Sequence, residues 1–174
     1  TSFSTGMAAI SNTLMTFVQP GTRIVSIRDT YGGTSKIFLE FLPKIGGKIE
    51  LCPTEDHDAI VQAVRKGCDI LYLESPTNPT LKVVDIETLA AEARAQGAKV
   101  IVDNTFATPI NQRPLELGAD LVLHSATKFL GGHSDAMGGV VCGQAADISK
   151  IFHYREINGA SLHPMSAYLL LRGL

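Results

Sequence analysis

A lysine, Lys128, follows a run of apolar residues and is preceded by two hydroxyl side chains, in the segment His124-Ser125-Ala126-Thr127-Lys128. Apolar surroundings lower the pKa of a lysine amine from its usual value of about 10.4, and such an amine becomes a nucleophile that attacks carbonyl carbons. The hydroxyls of Ser125 and Thr127 suit the oxygens of a phosphate group. Taken alone, the pattern fits a surface lysine in a turn between a strand and a helix equally well.

Asp103 ends another apolar run, one predicted strand-helix unit before Lys128. A buried carboxylate stabilises a nearby cation, such as the protonated nitrogen of a heteroaromatic ring. An isolated aspartate more often caps a helix or a turn. Because a strand-terminal lysine follows one unit later, we favour the role of cation partner for Asp103.

Three further segments carry polar or aromatic groups near predicted strand ends or helix starts. Thr5-Gly6-Met7 opens a predicted helix, and the first amide groups of a helix bind anions. Tyr31 precedes two glycines and could stack on a flat ligand. Asn78 lies in a loop that two prolines rigidify, from which it could reach a ligand hydroxyl. For Tyr31 and Asn78 an ordinary turn is the alternative.

Composition argues against several other kinds of site and partner. The chain has 15 Lys and Arg against 17 Asp and Glu, a net charge of −2, so we expect no nucleic-acid partner. Its apolar runs are too short to span a bilayer, and we expect no membrane partner. The histidines lack metal-ligand spacing, so no metal site is expected. The glycine fingerprints of nucleotide-binding loops are also absent. Three widely spaced cysteines fit a reducing, cytoplasmic setting.

Short β-branched runs alternate with helical patterns along the chain. We predict strands at 23–27, 48–51, 70–74, 99–103, 121–124 and 139–142, and helices at 6–18, 36–43, 56–66, 86–96, 114–117 and 166–174. This alternation indicates βαβ crossovers and a largely parallel sheet, so the fold class is α/β. Ligands of such sheets bind beyond the carboxyl ends of the strands. The strand-end residues Glu74, Asp103 and Lys128 are therefore expected at one edge.

The 174 residues suffice for one domain. Helical patterns begin almost at the first residue and continue to the last. We therefore expect the sequence to be an excerpt from a longer chain.

Five motifs stand in the order found in a known family. They are Thr5-Gly6-Met7-Ala8-Ala9, Tyr31-Gly32-Gly33-Thr34, Glu74-Ser75-Pro76-Thr77-Asn78-Pro79, Val102-Asp103-Asn104-Thr105-Phe106 and Ser125-Ala126-Thr127-Lys128. With them the chain resembles, over essentially its whole length, the Cys/Met-metabolism enzymes that depend on pyridoxal 5′-phosphate (PLP). That family includes cystathionine γ-synthase, cystathionine γ-lyase, methionine γ-lyase and the homoserine-ester sulfhydrylases.

The resemblance implies PLP as cofactor and two catalytic residues. Lys128 is similar to the lysine that binds the cofactor covalently and moves protons on the substrate. Tyr31 is similar to the tyrosine that stacks on the ring and assists proton transfer. Asp103, with Thr105 beside it, matches the partner of the pyridinium nitrogen. The other implied cofactor contacts are Thr5, Gly6, Met7, Ser125 and Thr127 at the phosphate and Asn78 at the ring hydroxyl.

The implied fold is the aspartate-aminotransferase-like (type I) large domain, a mostly parallel seven-stranded sheet between helices, of which residues 1–174 form a part. The implied reaction is γ-elimination or γ-replacement on sulfur amino acids or O-acylhomoserine. Family members are homotetramers whose sites are shared between subunits. They also use a Tyr and an Arg of a neighbouring subunit for the phosphate and a C-terminal Arg for the substrate carboxylate, which have no counterpart in the sequence.

Alternatives remain open within and beyond this reaction class. Gly33 stands where dedicated methionine γ-lyases often carry a cysteine, which favours the synthase or γ-lyase branch. A methionine γ-lyase or an O-acylhomoserine sulfhydrylase stays the alternative. A β-eliminating or racemising PLP enzyme would share the same fold. A non-catalytic PLP-binding paralogue is a further alternative, against which the Ser125–Lys128 motif and Asp103 argue.

Overall fold

The computed structural model describes residues 1–174, which form a seven-stranded sheet with helices packed on both faces. The strands are β1 (Ser2–Phe3), β2 (Arg23–Ile27), β3 (Lys48–Cys52), β4 (Ile70–Glu74), β5 (Lys99–Asp103), β6 (Leu121–Ser125) and β7 (Gly139–Gly143). Their order across the sheet is β1-β7-β6-β5-β4-β2-β3. Strands β2 to β6 pair in parallel, whereas β7 runs antiparallel to both of its neighbours, β1 and β6.

The helices fill the connections between these strands. They are α1 (Gly6–Phe17), α2 (Gly32–Lys36), α3 (His57–Arg65), α4 (Ile86–Ala95), α5 (Thr108–Asn111), α6 (Ala145–Asn158) and α7 (Pro164–Leu171), and α2 continues into a π-helical turn at Ile37–Phe41 and a 3₁₀ turn at Leu42–Ile45. Asp56 and Asp85 cap α3 and α4 by accepting bonds from the amides of Ala59 and Thr88, which have no acceptor within the helix. None of the helices is both long and apolar enough to cross a membrane.

The predicted fold class is confirmed, and each of the six predicted strands is present to within one residue. Strand β1 was not predicted because its two residues show no alternation. Helix α6 was also not predicted, since Ile151 is its only fully buried residue and its apolar stripe is weak. The helix predicted at 114–117 is wrong, because the backbone there forms turns.

Side chains of successive strand residues pack on opposite faces of the sheet. Leu71 and Leu73 of β4 belong to the core under α3 and α4, while Ile70 and Tyr72 belong to the core that contains α1. By the same alternation Glu74 lies on the α1 face. Asp103 stands two residues after Ile101, which packs on the α1 face, so Asp103 lies on that face as well. The sheet therefore directs two strand-terminal carboxylates towards the start of α1.

Strand β7 supports the start of α1 through a close backbone contact at Gly139. A Cβ atom at this position would overlap with the carbonyl oxygen of Thr5 and would lie 2.9 Å from the Cβ of Ala9. Real Cβ atoms do not approach a backbone oxygen so closely, so the glycine allows β7 and the Thr5 turn to pack together.

We expect Gly139→Ala to lower the free energy of unfolding by about 2 kcal/mol or more, because the strand or the helix start must shift. Chemical denaturation measures this change. Gly32→Ala is a matched control, since a Cβ at Gly32 meets no atom within 4 Å. Equal stability of the two variants would contradict the close packing at Gly139.

Candidate cofactor site

The structure brings all ten predicted site residues to one cavity of about 1090 Å³. They are Thr5, Gly6, Met7, Tyr31, Asn78, Asp103, Thr105, Ser125, Thr127 and Lys128. The cavity lies where β2, β4, β5 and β6 end and α1 begins, which is the edge at which parallel sheets bind ligands. Residues far apart in sequence meet there because parallel strands present the same end to the same side.

Asp103 places a carboxylate at the inner wall of the cavity. Its side chain is buried, and its Oδ1 accepts bonds from the hydroxyl of Thr105 (2.6 Å) and the amide of Thr105 (3.0 Å). Burial raises the pKa of Asp103, and the two bonds from Thr105 oppose that rise. No protein donor contacts Oδ2. A cation beside Oδ2 would offset the cost of burying the charge.

Thr105 joins Asp103 to the strand that carries the lysine. Its hydroxyl donates to Asp103 and accepts a bond from the amide of Ser125 (2.8 Å) at the end of β6. A hydroxyl can donate one bond and accept another, and Thr105 does both. The end of β6 is thereby fixed relative to the carboxylate.

The start of α1 and the end of β6 form a cradle for an anion. The Thr5 hydroxyl accepts a bond from the amide of Ala8 (2.9 Å). The amides of Gly6 and Met7 lie in the first turn of α1 and have no acceptor within the helix. A Cβ at Gly6 would lie 2.6 Å from the Cβ of Ser125 and 2.7 Å from its hydroxyl oxygen. Only glycine lets the helix start approach Ser125 so closely, and a phosphate suits this site.

Thr127 has a hydroxyl that is already engaged within the protein. Its Oγ1 accepts a bond from the amide of Gly138 (3.0 Å) and donates to the carbonyl of Gly138 (3.2 Å). The amide of Thr127 donates to the same carbonyl (3.1 Å). These bonds hold the turn that leads from β6 to Lys128, and the phosphate contact predicted for Thr127 stays a prediction.

Lys128 lines the cavity but is exposed at its mouth. The expectation that apolar residues surround the amine is therefore wrong for this structure, because burial ends with β6 and the turn after it faces solvent. The aromatic rings of Phe106 and Phe129 lie nearby at the rim, in an edge-to-face pair with centroids 5.8 Å apart. Its place on the cavity wall after β6, rather than burial, is what fits the role predicted for Lys128, and that role stays a prediction.

Tyr31 also lines the cavity, with 46% of its surface exposed. Met7 and Tyr31 both approach Gly33, since a Cβ there would lie 2.6 Å from the Met7 sulfur and 2.9 Å from a ring carbon of Tyr31. Because Gly33 has no Cβ atom, both side chains can pack beside it. An exposed ring held beside the cavity is suited to stacking on a flat ligand.

Glu74 is a wall residue to which the sequence analysis assigned no role. It is 5% exposed, and its carboxylate accepts bonds from the amides of Tyr31 (2.7 Å) and Asn78 (2.9 Å). Burial, and to a smaller extent the negative charge of Asp103, raises the pKa of Glu74 to about 7. A glutamate at the end of a fully buried apolar strand was the signal available in the sequence.

These groups fit PLP by their chemistry. Asp103 offers a buried anion to a ring cation, the Gly6 cradle offers amides to a phosphate, and Lys128 offers an amine to an aldehyde. No group of three or more His, Cys, Asp or Glu side chains is arranged to hold a metal ion.

Comparisons with known proteins agree with this chemistry. A family model described as Cys/Met metabolism PLP-dependent enzyme matches residues 1–174. The chain is 42% identical over 173 residues to cystathionine gamma-lyase of Bacillus subtilis (strain 168), covering 99% of this chain and 45% of that protein. It is 40% identical over 174 residues to L-methionine gamma-lyase of Fusobacterium nucleatum subsp. polymorphum, covering 98% of this chain and 44% of that protein.

Among solved structures, the chain matches cystathionine gamma synthase from Xanthomonas oryzae pv. oryzae in complex with aminoacrylate and cysteine, with a TM-score of 0.95. The two sequences are 36% identical, and the match covers 99% of this chain and 45% of that one. The chain therefore spans less than half the length of these relatives.

Thr105→Val should lower the free energy of unfolding by about 2 kcal/mol, because it leaves the Ser125 amide without its acceptor and the buried Asp103 carboxylate with only the bond from the residue-105 amide. It should also weaken PLP binding by about tenfold, since Asp103 and Ser125 lose their common support. Denaturant titration and cofactor titration measure the two effects. Thr105→Ser keeps the hydroxyl and should behave like the natural protein; equal losses in both variants would exclude the hydroxyl link.

His124 makes the stability of the fold sensitive to acid. Burial lowers the pKa of His124 from 6.5 to about 4, so the folded protein favours the neutral ring. The contribution of the neutral His124 ring to the free energy of unfolding is therefore complete above pH 6.5. It decreases as the pH falls towards 4, by up to about 3 kcal/mol. Glu74 acts in the opposite direction in this range, because its pKa is raised on folding. Wild type and variant must therefore be compared at each pH.

We expect wild type to lose stability relative to His124→Phe between pH 6.5 and 4. His153→Gln, at an exposed position, is the control and should follow wild type. A difference between wild type and His124→Phe that does not change with pH would contradict the buried neutral ring.

Proposed function

Because the chain belongs to the Cys/Met metabolism PLP-dependent enzyme family, we propose that this protein catalyses γ-elimination or γ-replacement on sulfur amino acids or O-acylhomoserine. One observation supports the proposal above all: Asp103, Gly6 and Lys128 line one cavity, whose wall therefore carries a buried carboxylate, the amides of a helix start and an amine. Residues 1–174 are proposed to form the PLP-binding large domain.

Bound PLP supplies an electron sink that stabilises negative charge on the carbon atoms of an amino-acid substrate. The protein must then hold the ring, keep its nitrogen charged and move protons. Asp103 is proposed to keep the ring nitrogen protonated, because a buried carboxylate favours a cation beside it. Thr105 fixes the direction of that carboxylate through its two bonds to Oδ1.

Lys128 is proposed to transfer protons at the substrate. Lys128 follows a turn that the hydrogen bonds between Thr127 and Gly138 hold in place. Its backbone is therefore fixed, and its side chain lines the cavity. An amine in this position can take a proton from the α-carbon and deliver one elsewhere on the substrate. Tyr31, which lines the same cavity, is proposed to stack on the ring and assist the proton transfer that releases the γ-substituent.

The remaining cofactor contacts are proposed from their place in the cavity. The amides of Gly6 and Met7 and the hydroxyls of Thr5, Ser125 and Thr127 would hold the phosphate. Asn78, whose side chain makes no bond within the protein, would contact the ring hydroxyl.

We also propose a homotetramer with shared active sites in a cytoplasmic setting. The open cavity mouth, with the exposed side chains of Phe129 and Met137 at its rim, supports a covering partner. The three cysteines are unpaired, which suits a reducing compartment.

We expect the purified natural protein to show a visible absorbance band of lysine-bound PLP. Borohydride should remove the band, and peptide mass spectrometry should then find the reduced cofactor on Lys128. Lys128→Ala should lack both signals, while Lys150→Ala, at an exposed position, should retain them. Absence of the band in the natural protein would overturn the proposal, because PLP binding is its premise.

The reaction class is tested on the same protein with cystathionine, methionine, and O-acylhomoserine plus a thiol. Release of 2-oxobutyrate indicates γ-elimination, and formation of a thioether product indicates γ-replacement. Pyruvate as the only keto acid would indicate β-elimination instead, and loss of optical activity without product would indicate racemisation. A protein that binds PLP but converts none of these substrates would be a non-catalytic paralogue.

A further inference from the structure

Glu74 is a second buried carboxylate in the wall of the cofactor cavity, and the proposed chemistry does not use it. It ends β4 directly beside Asp103, which ends β5, and the two residues are partners in the sheet register. Both are at least 94% buried. Asp103 has a clear task at the ring nitrogen. Burying a second carboxylate next to it is costly, so the contacts of Glu74 need their own explanation.

Each oxygen of Glu74 binds a different loop. Oε2 accepts a bond from the amide of Tyr31 (2.7 Å), in the loop after β2. Oε1 accepts a bond from the amide of Asn78 (2.9 Å), in the loop after β4. Bonds from amides to a carboxylate are stronger than those between neutral groups. One side chain thus joins the two loops that carry Tyr31 and Asn78 to the cavity.

Tyr31 and Asn78 have few other constraints on the cavity side. The carbonyl of Tyr31 accepts a bond from Ser35, but no other group receives its amide. Asn78 is exposed, and its amide bond to Glu74 is the one hydrogen bond it makes. The side chains of both residues are free to meet a ligand, while their backbones depend on Glu74.

A second link joins the same two loops on the outside of the molecule. The Lys82 ammonium, in the loop after β4, binds the Asp29 carboxylate (2.8 Å), in the loop after β2. Neither residue lines the cavity. This outer ion pair holds the loops together without fixing the backbone at Tyr31 or Asn78, and it provides a matched comparison for the inner link.

We propose that Glu74 is a positioning residue, which sets Tyr31 and Asn78 together as the two contacts to the face and edge of the cofactor ring. The proposal rests on PLP binding at this cavity, as proposed above. It requires a carboxylate, because a carboxamide offers only one acceptor oxygen and its NH₂ group would face the other amide.

The experiment compares Glu74→Gln with Asp29→Asn in the whole natural protein. We expect Glu74→Gln to raise the dissociation constant of PLP about tenfold or more, because one loop amide loses its acceptor and the other keeps only a neutral one. The visible circular dichroism of the bound cofactor should also decrease, since that signal depends on a fixed ring orientation. Asp29→Asn removes the charge of the outer ion pair and should leave both the dissociation constant and the circular dichroism unchanged.

A double-mutant cycle separates positioning from general loss of stability. Asn78→Ala should weaken PLP binding in the natural background and have a much smaller effect in Glu74→Gln, because Asn78 is then no longer held in place. Equal effects of Asn78→Ala in the two backgrounds, or an unchanged dissociation constant in Glu74→Gln, would overturn the proposal.

Amide hydrogen exchange tests the same contacts without a substitution, should Glu74→Gln not fold. In the natural protein the amide hydrogens of Tyr31 and Asn78 should exchange slowly, although both residues lie in exposed loops. Exchange as fast as at unbonded loop amides would overturn the proposal. Failure of wild type to bind PLP would instead refute the proposed function, since the exchange measurement reports on Glu74 whether or not cofactor binds.

Discussion

The buried carboxylate of Asp103 is the feature on which the arrangement of the cavity depends. A charge taken out of water is stable only if hydrogen bonds and a counter-ion replace the lost solvation. Thr105 donates two hydrogen bonds to Asp103, and its hydroxyl accepts a third from the amide of Ser125. The carboxylate, the hydroxyl and the end of β6 therefore form one unit, and the distance from Asp103 to the Lys128 turn is set by the sheet itself. In the proposed function, a cationic ring nitrogen would complete the balance of charge.

Glycines bring the two sides of the cavity into contact. Gly6 lets the start of α1 approach Ser125, and Gly139 lets β7 approach Thr5. These contacts are backbone packing, which a side chain at either position would prevent. The proposed phosphate cradle thus depends on three separate parts of the chain, the α1 start, β6 and β7. Its precision comes from close packing rather than from a single loop.

The exposure of Lys128 changes the account of its reactivity. A lysine in an apolar pocket would owe its nucleophilicity to desolvation. In this structure the amine stands at an open mouth, between a firmly held turn and an exposed aromatic rim. Its role then depends on where it is placed, and its final environment depends on the ligand and on whatever covers the mouth. Glu74 shows the opposite case, a deeply buried acid whose contacts are all with backbone amides.

The sequence by itself determined the α/β class, six strands to within a residue, and ten of the residues that line the cavity. It did so because parallel strands have continuous apolar runs that end abruptly, and polar residues after those ends meet at one edge. Weak or very short patterns hid α6 and β1, and turns replaced the helix at 114–117. Only the tertiary structure decided that Lys128 is exposed, that the Thr127 hydroxyl is engaged by Gly138, and that Glu74 joins two loops. Burial and hydrogen-bond partners depend on segments distant in sequence, so local pattern could not supply them.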